Sequence, residues 1–83
     1  MPTFGAIDVG TNTVRLLVAE AAAPGAYAVR HQAQAITRLG EGLEATGHLA
    51  AAAIKRTVAA AAEYAAAARR LGAVVVRATA TSA

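Results

Sequence analysis

Thr3-Phe4-Gly5-Ala6-Ile7-Asp8-Val9-Gly10-Thr11-Asn12-Thr13-Val14-Arg15-Leu16-Leu17-Val18-Ala19-Glu20 is the stretch on which the fold turns. Thr3 to Val9 is a short apolar run of strand length, with Phe4, Ile7 and Val9, and it ends in a cluster of turn formers. Val14 to Glu20 is a second run of that kind, so strand, four-residue turn and strand predict a hairpin. Pro24-Gly25 marks the next turn. From Tyr27 to Leu39, apolar positions alternate with Arg30, Gln32, Gln34 and Arg38, the pattern of a half-exposed strand near a sheet edge. Gly40, Gly42 and Gly47 read as a loop.

Ala50 to Leu71 reads as a helix, because alanine has the best intrinsic helix propensity. Ile54, Val58, Ala61, Ala65 and Ala68 fall at spacings of three and four and predict the buried stripe. Arg56, Glu63 and Arg70 lie on another, solvated face. Arg69 and Arg70 complement the dipole at the last turn, and Gly72 stands where a helix stops. Ala50 is a poor cap for the other end. Ala73 to Ala78 is a strand whose Val74-Val75-Val76 run suggests burial on both faces, as in a parallel crossover onto the first strand. The fold class is therefore α/β, with one helix covering one face of a four-stranded sheet and nothing in the sequence to cover the other.

Composition narrows the function classes. Of 83 residues 57% are apolar, but 26 of these are alanine, and only 19 are Val, Ile, Leu, Met or Phe. A chain this short buries only roughly 60% of the surface its unfolded form exposes, and no cysteine is present to staple it. Such a thin core calls for a partner or for more of the same domain. Lys55, Arg56 and Glu63 interrupt the alanine-rich stretch well before the ~20 residues of a membrane span. No positively charged start followed by an unbroken apolar segment opens the chain, so the expectation is a cytoplasmic protein off the membrane. The net charge of +3 is scattered and aromatics make up only 4%, which does not describe a nucleic-acid surface.

Chemistry concentrates in Asp8-x-Gly10-Thr11-Asn12-Thr13-x-Arg15. A glycine-containing turn between strands can aim backbone N–H groups into one concavity that binds phosphate oxygens, and Thr11, Asn12 and Thr13 add side-chain donors. Asp8 at the end of a strand would repel a phosphate unless a hydrated Mg2+ lay between them. The same residues are also ordinary turn formers, and a plain hairpin turn accounts for them equally simply. Gly40-Glu41-Gly42-Leu43-Glu44-Ala45 matches G-x-G-x-x-A, but its two glutamates would repel a pyrophosphate, and Val74 to Ala83 offers no carboxylate for a ribose. His31 and His48 are seventeen positions apart and have no cysteine or carboxylate pair at ligand spacing. Neither Ser82 nor any threonine has a base nearby in the sequence that would make it a nucleophile.

Ala6-Ile7-Asp8-Val9-Gly10-Thr11-Asn12-Thr13-Val14-Arg15-Leu16-Leu17 resembles the opening of the exopolyphosphatase and guanosine pentaphosphate phosphatase (Ppx/GppA) family. The likeness continues in order through Ile36-Thr37-Arg38-Leu39-Gly40-Glu41-Gly42-Leu43, Thr46-Gly47-x-Leu49 and Val76-Arg77-Ala78-Thr79-Ala80-Thr81-Ser82-Ala83. Asp-x-Gly-Thr alone is shared by sugar and acetate kinases, actin and chaperone ATPases; four ordered segments are specific.

The resemblance implies an actin-like, ribonuclease H-like domain, in which an antiparallel three-stranded meander is followed by a helix and a parallel strand. Residues 1–83 would be an incomplete first part of that domain. It implies further that Gly10, Thr11, Asn12 and Thr13 form the first phosphate loop, that Asp8 serves a Mg2+ or another divalent cation, and that Arg15 contacts substrate. The family's phosphate-contacting Arg-x-Ala-x-Asn pattern and its catalytic glutamate would follow Ala83, so none of Glu20, Glu41, Glu44 and Glu63 is taken as the base. Arg38 and Glu41 belong to a family segment read as a structural loop. The implied activity is hydrolysis of a terminal phosphoanhydride of inorganic polyphosphate or guanosine pentaphosphate. The implied partners are that substrate, the remainder of the chain and, for some arrangements, a second copy. Two other readings stand beside it: a kinase of the same superfold, and a non-catalytic fragment that binds phosphate.

Overall fold

The computed structural model describes residues 2–80. Strands β1 (Thr3–Val9), β2 (Thr13–Ala23) and β3 (Ala26–Ile36) are followed by a one-turn helix α1 (Leu43–Thr46), the long helix α2 (Ala51–Arg70) and strand β4 (Ala73–Ala80). The sheet order is β3-β2-β1-β4. β1 pairs antiparallel with β2, placing Ile7 opposite Leu16 and Asp8 opposite Arg15, and β2 pairs antiparallel with β3. β4 pairs parallel with β1, with Asp8 opposite Thr79. The expected meander, helix and parallel strand are all present. Each of the first two strands runs on into its hairpin, β2 starting at Thr13 and ending at Ala23, because the Pro24-Gly25 pair makes the turn and Gly25 takes φ 76°.

Side chains alternate across a strand, and this sorts β1 cleanly. Gly5, Ile7 and Val9 face α2; Phe4, Ala6 and Asp8 face the other way. A Cβ on Gly5 would stand 2.8 Å from Cβ of Ala68, so only glycine lets α2 lie this close to the sheet. The core between the layers is Ile7, Val14, Leu16, Val18 and Ala68, with Val9, Ala61, Tyr64, Ala65 and Val76 packed around it. The alanines thus serve close approach rather than bulk, and the apolar area of the core comes from β1 and β2.

Three expectations change at this level. The buried stripe of α2 is Ala53, Thr57 and Ala68, with Ala61 and Ala65 partly covered, whereas Ile54 and Val58 are exposed. In the first half of the helix the segment after β3 is reached by Arg56, whose Nε donates to the Thr37 carbonyl at 3.0 Å. Val74 and Val75 of β4 are likewise exposed: Val75 lies opposite Phe4 on the face away from α2, and Val74 falls at the register shift, with no pairing partner on β1. The segment from Gly40 to Gly47 is not all loop, as it contains α1, bounded by Gly42 and Gly47 in the left-handed region. Ala50 precedes α2 in an extended conformation with no side-chain cap, and Gly72 follows it at φ 94°, as a helix stop requires. Thr81, Ser82 and Ala83, the end of the fourth family segment, lie outside the described residues.

Candidate phosphate-binding turn

The turn between β1 and β2 sits at the carboxyl end of β1, where that strand lies between an antiparallel and a parallel neighbour. The Gly10 N–H donates to the Thr13 carbonyl at 3.0 Å, closing a four-residue turn. A Cβ on Gly10 would stand 3.1 Å from that same carbonyl oxygen, so glycine fits the turn by its size. Gly10 therefore shapes the turn with its amide already engaged, while exposed Thr11 and Asn12 form its tip.

The segment after β3 grips the tip from one side. Thr37 and Arg38 donate their N–H groups to the Asn12 carbonyl at 3.0 and 3.1 Å, and Gly40 donates to the Thr11 carbonyl at 2.8 Å. In a trans peptide the N–H points opposite to the C=O, and no cis bond occurs among the described residues. Tying the Thr11 carbonyl to Gly40 therefore turns the Asn12 N–H away from the 37–40 segment, toward the open side of the turn. Among the described residues the Thr11 and Asn12 amides donate to no backbone carbonyl. The outward Asn12 amide beside two threonine hydroxyls and one carboxamide makes a suitable donor set for phosphate oxygens.

Asp8 is half-buried on the sheet face opposite α2, with Arg15 beside it on β2 and Thr79 beside it on β4. These three line one open depression of about 580 Å3, together with Gln32, Gln34 and Arg77. A second cleft of about 450 Å3, lined by Thr11, Asn12, Arg38, Gly40, Glu41 and Leu43, adjoins the turn on the gripping side. The structure thus gathers Asp8, Arg15 and the 10–13 turn at one end of the sheet. Arg77 and Thr79 join them, two residues that the sequence offered only as part of a family segment.

Glu20 and Glu41 are engaged elsewhere. Glu20 pairs with Arg30 at 3.5 Å near the far end of the sheet, and Glu41 lies 3.8 Å from Arg38 and 3.7 Å from Arg56. Glu63 is exposed on α2. No group of three or more His, Cys, Asp or Glu side chains that could hold a metal is found among the described residues. A cation here would have Asp8 from this chain and would take its other ligands from phosphate oxygens and water, a donor set that suits Mg2+ better than a metal needing a full protein cage. No helix among the described residues is long and apolar enough to cross a membrane.

No protein-family model matches the chain. It is 46% identical over 63 residues to Exopolyphosphatase 2 of Mycobacterium tuberculosis, a match that takes in 72% of this chain and 20% of that protein. A crystal structure of the Aquifex aeolicus Ppx/GppA phosphatase, in its type II variant, superposes on 96% of the chain with a TM-score of 0.89 and 26% identity. A solved structure of the Aquifex aeolicus PPX-GPPA enzyme superposes on 99% with a TM-score of 0.84 and 30% identity. The chain spans about a fifth of the length of the curated relative and about a quarter of each of these two structures. With the ordered sequence segments, the shared meander-helix-strand topology and these relatives, the chain belongs to the Ppx/GppA phosphatase family.

Proposed function

We propose that the protein carrying this chain hydrolyses the terminal phosphoanhydride bond of inorganic polyphosphate, or the same bond in guanosine pentaphosphate, and that these residues supply its first phosphate-binding turn. The observation behind this reading is the turn at the end of β1, whose carbonyls are tied back to residues 37–40 while the Asn12 amide faces outward. Polyphosphate comes first because one relative bears the name exopolyphosphatase. Fixed donors of this kind act by positioning the phosphoryl group and by meeting the charge on its oxygens, which is most of what phosphoryl transfer asks of a protein. Thr11, Asn12 and Thr13 would hold the terminal phosphoryl group, and Arg15 would meet the charge of the adjoining chain.

Asp8 would hold Mg2+ against the phosphate oxygens, where the bound ion would neutralise charge on the leaving group. Following the family resemblance, the carboxylate that takes a proton from the attacking water would be a glutamate beyond Ala83, and none of Glu20, Glu41, Glu44 and Glu63 is assigned that role.

The test measures release of inorganic phosphate by the full-length protein from polyphosphate and from guanosine pentaphosphate, with no acceptor present. Release from either supports the reading. ATP consumption that requires a second acceptor would instead place the protein with kinases of the same superfold, and silence on all substrates with intact phosphate binding would leave a binding function alone.

A further inference from the structure

Arg56 was expected to be a solvated helix residue, yet it makes three polar contacts with the segment that grips the turn. Its Nε donates to the Thr37 carbonyl at 3.0 Å, one Nη donates to the Arg38 carbonyl at a long 3.5 Å, and the same end of the guanidinium lies 3.7 Å from Glu41. Each of those residues is itself attached to the turn or its rim. Thr37 and Arg38 donate to Asn12, while Glu41 and Arg38 line the cleft beside Thr11 and Asn12. Arg38 also has φ 52°, the only positive value at a non-glycine position among the described residues. A backbone of that kind persists where its surroundings over-determine it, and here the determinants are the Asn12 carbonyl on one side and the Arg56 guanidinium on the other.

From these contacts we infer that Arg56 is a positioning residue for the phosphate-binding turn. It anchors residues 37–41 to α2, and through their amides it holds the Thr11 and Asn12 carbonyls, and with the first of these the outward Asn12 N–H, in place. The inference rests on the reading of that turn given under Proposed function. A guanidinium suits the task because its rigid fork reaches two carbonyls and a carboxylate together, which the single ammonium of lysine does not reproduce. Loosening the anchor would misplace the turn by fractions of an ångström, and displacements of that order at a reacting centre cost about 10- to 100-fold in rate.

The experiment uses Arg56→Met and Arg56→Lys in the full-length protein, with Gly5→Ala as a stability control at the far end of β1. Phosphate release from polyphosphate is measured well below every melting temperature, alongside amide hydrogen exchange at Thr37, Arg38 and Gly40. The inference predicts that Arg56→Met lowers kcat/KM at least about tenfold, mostly through kcat, and speeds exchange at those three amides. Arg56→Lys should fall between it and the native protein, and Gly5→Ala should keep native kinetics. Kinetics within twofold of native, or a loss no greater than that of Gly5→Ala, would overturn it. If the native protein releases no phosphate from any substrate, the functional reading fails, and exchange alone decides: unchanged protection in Arg56→Met would overturn the anchoring claim itself.

Discussion

Gly5 and Ala68 meet where β1 passes beneath α2, and a Cβ added to Gly5 would lie 2.8 Å from Cβ of Ala68. Both atoms would be fixed to regular backbone, so neither could swing aside, and the two backbones would have to part locally, about three turns along α2 from Arg56. Gly5→Ala should therefore destabilise the protein by about 1–3 kcal/mol, the usual cost of overpacking a tight core. The double variant Gly5→Ala with Ala68→Gly should recover part of that loss, which thermal unfolding of all three variants would read as a coupling between the two sites. Purely additive losses would show that the two positions do not meet.

Ala50 offers α2 no side-chain cap, although its backbone at φ −70° and ψ 138° already has the extended conformation that a capping residue adopts. Ala50→Ser or Ala50→Asp should add about 1 kcal/mol by accepting a hydrogen bond from an unpaired first-turn amide. The check is a rise in unfolding temperature with kinetics unchanged.

Thr37 is 4% exposed, and its hydroxyl has no hydrogen-bond partner among the described residues. Thr37→Val keeps the shape and removes a buried polar atom, while the backbone N–H and C=O that link Asn12 to Arg56 stay in place. Stability should rise by about 1 kcal/mol. A fall in melting temperature would mean that the hydroxyl is satisfied in solution.

Gly10→Val tests the turn by shape. The new side chain begins 3.1 Å from the Thr13 carbonyl oxygen, a contact that leaves little room for branching at Cβ. Phosphate release should drop by about 100-fold or more, the scale on which losing an oriented donor is felt, while circular dichroism and unfolding of the rest of the protein stay close to native.

Much of this architecture can be read from the sequence because it rests on local signals. Pro24-Gly25, Gly72, the short apolar runs of β1 and β2 and the alternation of β3 announce themselves within a few residues. What escapes is set by contacts far apart in the chain. Ile54 and Val58 look like the core face of α2 by size, yet Ala53 and Thr57 are the buried positions, since which side of a helix is covered is set by the rest of the fold and not by the size of its own residues. Val74-Val75-Val76 reads as doubly buried, but burial depends on a second covering layer that the run itself cannot specify. Arg56 looks like a surface residue since nothing in its neighbourhood on the helix predicts that the Thr37 carbonyl will be within 3.0 Å. In the site, Asp8 and the 10–13 turn are contiguous and therefore legible. Arg77 and Thr79 are brought beside Asp8 only by the parallel register of β4.

The most direct test is phosphate release from polyphosphate by the full-length protein and its Asp8→Asn variant, assayed without acceptor and with Mg2+ present. The proposed function predicts release by the native protein and a loss of about 100-fold or more in a variant that circular dichroism shows to be folded. A folded Asp8→Asn protein that turns over polyphosphate at the native rate would contradict the placement of the phosphate site at the end of β1.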